Sequence, residues 1–384
     1  MSTRPVSFTA SSPDQSHTTA VPEPRSAQRN MKLQKATRYF GAVLVFAFFA
    51  WVLLLSLPEK RHHLSVTQSF GIGFDLSPSY ATVAISYPNG SIQPIARVEG
   101  DGAYKEMMFR LSLPSSQHLH QPYENTGESI SDIPRQIWRN SRKKIGLPAS
   151  RDVGILSNMI HALREEATRY VGETVSAAAI SIPHLTALYG DDLHDAFEYL
   201  SLAYLDFYPF SNYRPIPASI AAYAGNGLGL CEDYRDTAAC GEEEFNIPSQ
   251  FALAIGYTHT SLTTSQAHVS SAYYIEETPA LENLRLGYDA RHEENYWDAV
   301  RHMLQSPVVD SPVQRNISMV LLFGDAAEEP RFREVLQGVI DDVLGGQVEI
   351  VDQQPEFSAA KGVAELAKRA TFNGIRMLNT DTEL

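Results

Sequence analysis

Apolar residues follow three rhythms along this chain. From Tyr39 to Leu57 they run almost unbroken, YFGAVLVFAFFAWVLLLSL, nineteen residues without a charge between Arg38 and Pro58-Glu59-Lys60-Arg61. As a helix at about 1.5 Å per residue the run is roughly 28 Å long, the thickness of bilayer hydrocarbon, and so predicts a transmembrane signal anchor over 39–58. From residue 70 the rhythm is strand-like. Phe70 to Phe74 and Ala81 to Tyr87 flank the turn-like LSPSY, and Asn89-Gly90 leads into Ile92 to Val98, a three-strand meander. The stretch from there to about Ser150 reads as irregular and polar. Helical spacing follows at about 157–172, 190–204, 293–304, 330–344 and 357–370, with strands at 175–183 and 319–323 and a strand–turn–strand at 251–265. Pro217 to Gly225, PASIAAYAG, is small at nearly every position and lets two backbones approach closely. Helices alternating with strands imply an α/β layer fold.

Charge and composition then narrow the class. The chain carries 45 acidic against 31 basic residues, a net charge of -14, which excludes a nucleic-acid binder because phosphate neutralisation needs clustered Lys and Arg. Residues 1–38 form a Ser/Thr/Pro-rich tail that lacks the apolar content to repay ordering. Arg25, Arg29, Lys32, Lys35 and Arg38 precede the apolar run while Lys60 and Arg61 follow it, so the positive-inside bias places the tail in the cytosol. Everything after a linker at 59–69 then faces the lumen of the secretory pathway, endoplasmic reticulum or Golgi. Sequons at Asn89 and Asn316 accord with that location. So do Cys231 and Cys240, in an acidic Gly-rich stretch that an oxidising compartment would staple, although two unrelated thiols fit the same spacing.

Within the main domain, 70–373, a set of motifs carries a resemblance. GIGFDLSPSYATVAI at 71–85 resembles the first phosphate loop of the seventy-kilodalton heat-shock chaperones, members of the actin-like ATPase superfamily, with Asp75, Leu76, Ser79 and Tyr80 at matching positions. TRYVGETVSAAAISIPHL, PASIAAYAG, ALAIGYTHTSLT, LLFGDAAEEPRFREVL and FSAAKGVAELA stand in order at the family's first connecting strand, first connecting helix, second phosphate loop, adenosine motif and second connecting helix. The resemblance implies a reduced two-lobed, ribonuclease-H-like α/β fold preceded by one transmembrane helix, with residues 374–384 as a tail. It also implies a cleft for ATP and Mg²⁺, lined by Asp75, Ser77, Ser79, Tyr80, Gly256 and Gly324.

The family's chemistry is mostly missing from those positions. Ser77 replaces a glycine, and Pro78, which has no N–H to offer phosphate, replaces a threonine. Ala254 stands at the second aspartate, only Gly256 survives of three glycines, Ile216 takes the place of a glutamate, and no lysine lies between Lys105 and Lys143. Each lost charge-stabilising group costs about 3 to 4 kcal/mol of transition-state stabilisation. The expectation is therefore a membrane-anchored chaperone-ATPase-like pseudoenzyme, a scaffold or regulator with an unidentified protein partner and vestigial ATP and Mg²⁺ binding. The alternatives are a weak ATP binder and a type II secretory transferase, the latter lacking an Asp-x-Asp site. His118 and His120 have no third metal ligand at suitable spacing. Asp191, Asp192 and Asp195 are read as helix-capping charges.

Overall fold

The computed structural model describes residues 68–205, 215–273, 275–277, 280–310, 316–345 and 348–380, those at 275–277 and 373–380 by their backbone alone. The meander forms β1 (Gly71–Leu76), β2 (Tyr80–Ser86) and β3 (Ile92–Glu99). β4 (Ala177–Ile182) joins β1 in parallel, and β5 (Ala203–Tyr204) and β6 (Ile216–Pro217) both pair with β4 in parallel. A second sheet repeats this plan. β7 (Gln250–Tyr257) and β8 (Leu262–Val269) form an antiparallel hairpin extended by β9 (Ile275–Glu277) and β10 (Leu281–Asn283), and β11 (Ile317–Phe323) and β12 (Glu349–Val351) continue from β7 in parallel. Strand orders β3-β2-β1-β4-β5 and β10-β8-β7-β11-β12 therefore match, so the folded region is one supersecondary unit used twice.

The helices are α1 (Gly102–Leu111), α2 (Thr126–Lys144), α3 (Arg151–Val171), α4 (Gly190–Tyr199), α5 (Ala218–Gly225), α6 (Thr237–Phe245), α7 (Tyr296–Val309), α8 (Pro330–Val339) and α9 (Ser358–Thr380). Local chemistry sets several ends. Asp101, Asn125 and Ser150 accept the backbone N–H of Tyr104, Glu128 and Val153 as N-caps, and Gly172 closes α3 in the left-handed conformation. Burial follows the two-residue period of the strands. Leu253, Ile255 and Tyr257 of β7 face outward onto α7 and α8, whereas Ala252 and Ala254 face inward onto α5 and α9. The first sheet likewise covers α1, α3 and α4 on its outer face.

The central pair, α5 and α9, is where the small residues count. A Cβ at Gly362 would lie 1.8 Å from the Ala221 carbonyl oxygen, and one at Gly225 would lie 1.8 Å from that of Ser358, so the two helices cross backbone to backbone.

Several expectations need correction. Among the described residues no helix is long and apolar enough to cross a membrane: the long helices, α2, α3 and α9, carry charges along their length. The 39–58 run lies outside the described residues. The transmembrane part of the fold class, the membrane as a partner, and the single-pass secretory-pathway location are therefore without support. The stretch to Ser150 is not irregular, since α1 and α2 lie in it; Pro134 inside α2 and its dense charge disguise that helix. The acidic stretch around the cysteines holds α6, and a disulfide joins Cys231 to Cys240. Asp191, Asp192 and Asp195 are buried against α2 and pair with Arg135, Arg139 and Lys143, so they act as ion-pair partners more than as caps. His118 and His120 pack edge-on and stacked against Tyr189. Asn89 and Asn316 are both exposed.

Candidate functional site: the cleft between the sheets

The tips of the two hairpins, residues 77–79 and 258–261, meet above a small cavity between the sheets, bounded below by Asp75 and at the side by Gly324. The resemblance predicts backbone N–H groups free to wrap phosphate. They are instead spent inside the protein. Thr260 and Ser261 donate their N–H groups to Thr258 Oγ1 at 3.2 and 2.8 Å, His259 donates its own to Asp325 Oδ1 at 3.0 Å, and Ser77 donates to the Tyr80 carbonyl at 2.9 Å. Pro78 has none. Thr258 is thus the side chain that satisfies the second tip.

Side chains then close the two lobes on each other. Thr260 donates its hydroxyl to Ser79 Oγ at 2.9 Å, joining the two tips directly. Arg97, from β3, reaches across to Asp325 at 2.7 Å and Glu356 at 2.9 Å while its guanidinium stacks 3.9 Å from the centre of the buried Tyr80 ring. The Asp325 carboxylate therefore accepts from one tip amide and from an arginine, the contacts a bound phosphate would otherwise make. Gly324 adopts a φ of +101°, and a Cβ there would lie 2.3 Å from the Tyr257 carbonyl oxygen, so this glycine serves the close packing of the strand ends.

Below the tips lies a cavity of about 20 Å³, room for one water-sized occupant. Two buried carboxyls line it. Asp75 accepts the Ser181 hydroxyl at 2.8 Å, yet burial pushes its pKa to about 7 against that hydrogen bond. Glu282, from β10, has both carboxyl oxygens buried without a hydrogen-bond partner, and burial pushes its pKa to about 8. The neighbouring Thr263 hydroxyl opposes that shift but forms no well-made bond to it. His184, bonded to Ser219 at 3.3 Å, and Gly256, which abuts the Phe323 ring, complete the wall.

The structure thus brings Asp75, Ser77, Gly256 and Gly324 to one cavity and places Ser79 and Tyr80 in the closure above it. Sequence reasoning missed Arg97, Asp325 as its partner, and Glu282. The first two sit in unremarkable polar contexts. Glu282 lies in a short edge strand, whose inward face only pairing with β8 reveals.

No family model matches the chain, and no curated protein matches it significantly. The expected function, a membrane-anchored chaperone-ATPase-like pseudoenzyme with scaffold, weak-ATPase or transferase alternatives, therefore has no support from these comparisons. The tip geometry argues against its nucleotide component, because the second tip's amides and that of Ser77 are already bonded and Pro78 has none.

Proposed function

We propose that the cleft is a binding site for a single dehydrated hard cation, Ca²⁺ in preference to Mg²⁺, that couples the two lobes. The observation that carries this reading is the Glu282 carboxyl, buried with two oxygens lacking a well-made hydrogen bond, in the wall of the cavity that the buried Asp75 also lines. An uncompensated buried carboxylate is costly, and a cation is the natural partner of two. Apart from the His184 imidazole, the donors lining the cavity are oxygens, two carboxyls with the hydroxyls of Ser77, Thr258, Ser261 and Thr263, a set that suits a hard ion. The cavity takes one occupant, and Mg²⁺, which retains several waters, fits such a space poorly, whereas Ca²⁺ accepts an irregular cage of protein oxygens. The matching strand orders of the two sheets support, as a further part of this proposal, a remote kinship with the nucleotide domain of the actin-like ATPases, one of architecture without the activity.

Thermal unfolding of the full chain at pH 8 tests it. Ca²⁺ should raise Tm in a saturable way, with about 2.7 kcal/mol of stabilisation at a hundred times Kd, and Mg²⁺, alone or with ATP, should do far less. Asp75→Asn and Glu282→Gln should each abolish the Ca²⁺ shift. An absent shift, or one that survives both substitutions, overturns the reading.

A further inference from the structure

Helix α2 is built inside out. Asp132, Arg135, Arg139 and Lys143 recur at helical spacing and face the protein, where Arg139 pairs with Asp192 at 2.7 Å and Asp195 at 2.6 Å, Arg135 with Asp191 at 2.9 Å, and Lys143 with Asp195 at 3.0 Å and Glu198 at 2.8 Å. The opposite stripe is apolar and open to solvent: Ile130 is 61 % exposed, Ile133 46 % and Trp138 65 %, and past the helix end Ile145 is 72 % and Leu147 43 % exposed. Surface helices normally do the reverse. The five side chains expose roughly 570 Å², taking about 200 Å² for a large apolar residue, which is at the top of the range for a monomer's largest patch.

We propose that a second copy of this chain covers this face, α2 packing antiparallel on α2 about a two-fold axis near Ile137 and Trp138. The charge layout selects that partner. α2 begins at an acidic end, with Glu124 just before it and Glu128 in its first turn, and finishes at a basic one, with Arg142 and Lys144 in its last turn beside the inward-paired Lys143. A two-fold axis across a helix reverses one copy relative to the other, so each acidic end meets a basic end and the helix dipoles oppose. With the axis at that point Ile130 of one copy lies opposite Ile145 of the other and Trp138 opposite Ile137. The apolar area alone supplies most of the ~800 Å² per partner of a standard interface, and the flanking polar residues supply the rest. Trp138 is the central aromatic anchor.

The test is co-purification of two differently tagged full-length copies, with sedimentation to fix the stoichiometry. The wild type should form a dimer. Trp138→Glu should weaken it at least about thirtyfold, the size of a hot-spot loss, while Phe245→Glu, at an exposed residue of α6, should leave it intact. Ile130→Glu and Ile145→Lys should each weaken self-association, yet a mixture of the two should pair, because antiparallel docking sets the new carboxylate at position 130 of one copy against the new ammonium at position 145 of the other. A monomeric wild type, a dimer indifferent to Trp138→Glu, or a mixture that fails to pair would each overturn the proposal. Circular dichroism of every variant separates a lost interface from a lost fold.

Discussion

Replacing Glu282 by glutamine keeps the shape of the side chain and removes one buried ionisation. In the folded protein its pKa lies near 8 against an ordinary 4.5, so between those values the folded state holds a proton that the unfolded chain has lost. A raised folded-state pKa means that stability is fully present at low pH and declines as pH climbs from about 4.5 to about 8. The slope from one such proton is about 1.4 kcal/mol per pH unit, so the whole window is worth roughly 5 kcal/mol as an upper figure. Asp75, raised from 3.8 to about 7, acts in the same direction over its own window. Both carboxyls line one cavity, and their two pH windows overlap. In chelator-treated buffer, urea unfolding at intervals from pH 5 to 8.5 should show the wild type losing stability steeply. Glu282→Gln should lose it less steeply and become the more stable protein, by about 3 kcal/mol or more, above pH 8. The cation reading adds a second expectation: saturating Ca²⁺ should flatten the wild-type decline, since the ion replaces the departing protons. Parallel pH profiles for wild type and variant would refute the burial argument itself, with or without a cation.

Two further substitutions probe how the lobes are held. Arg97→Ala leaves Asp325, whose side chain is 3 % exposed, with a tip amide but no cation, and should destabilise the protein by about 2 to 3 kcal/mol in chemical unfolding; adding Asp325→Asn should recover part of that loss. Gly362→Ala drives a methyl into the Ala221 carbonyl and should cost at least about 3 kcal/mol of stability, whereas Gly241→Ala, in the open α6 with nothing near its Cβ, should be neutral or mildly stabilising by differential scanning calorimetry.

What the sequence determined by itself was local. The Asn89-Gly90 turn and the alternating runs around it specify the meander β1–β3, and the same grammar at 251–265 specifies the β7–β8 hairpin, because strand period and turn chemistry act over a few residues. The small residues of PASIAAYAG announced a close helix contact, though not that α9 would supply the other side through Gly362. That Pro78 has no N–H to offer a phosphate was also legible, because proline's ring removes that donor whatever the fold. Other features depend on partners far away in the chain. Thr260 meets Ser79 across 181 residues and Arg97 meets Asp325 across 228, so only the packed sheets show that the cleft is shut by its own side chains. Glu282 becomes a candidate ligand only because β10 pairs with β8 and carries its carboxyl out of water. In α2 the apolar spacing of Ile130, Ile133 and Ile137 was hidden by Pro134 and dense charge, and which face turns inward was decided by Asp191, Asp192 and Asp195 of α4. Helical periodicity distinguishes two faces of a helix, and the charges packed against it determine which of them meets the protein.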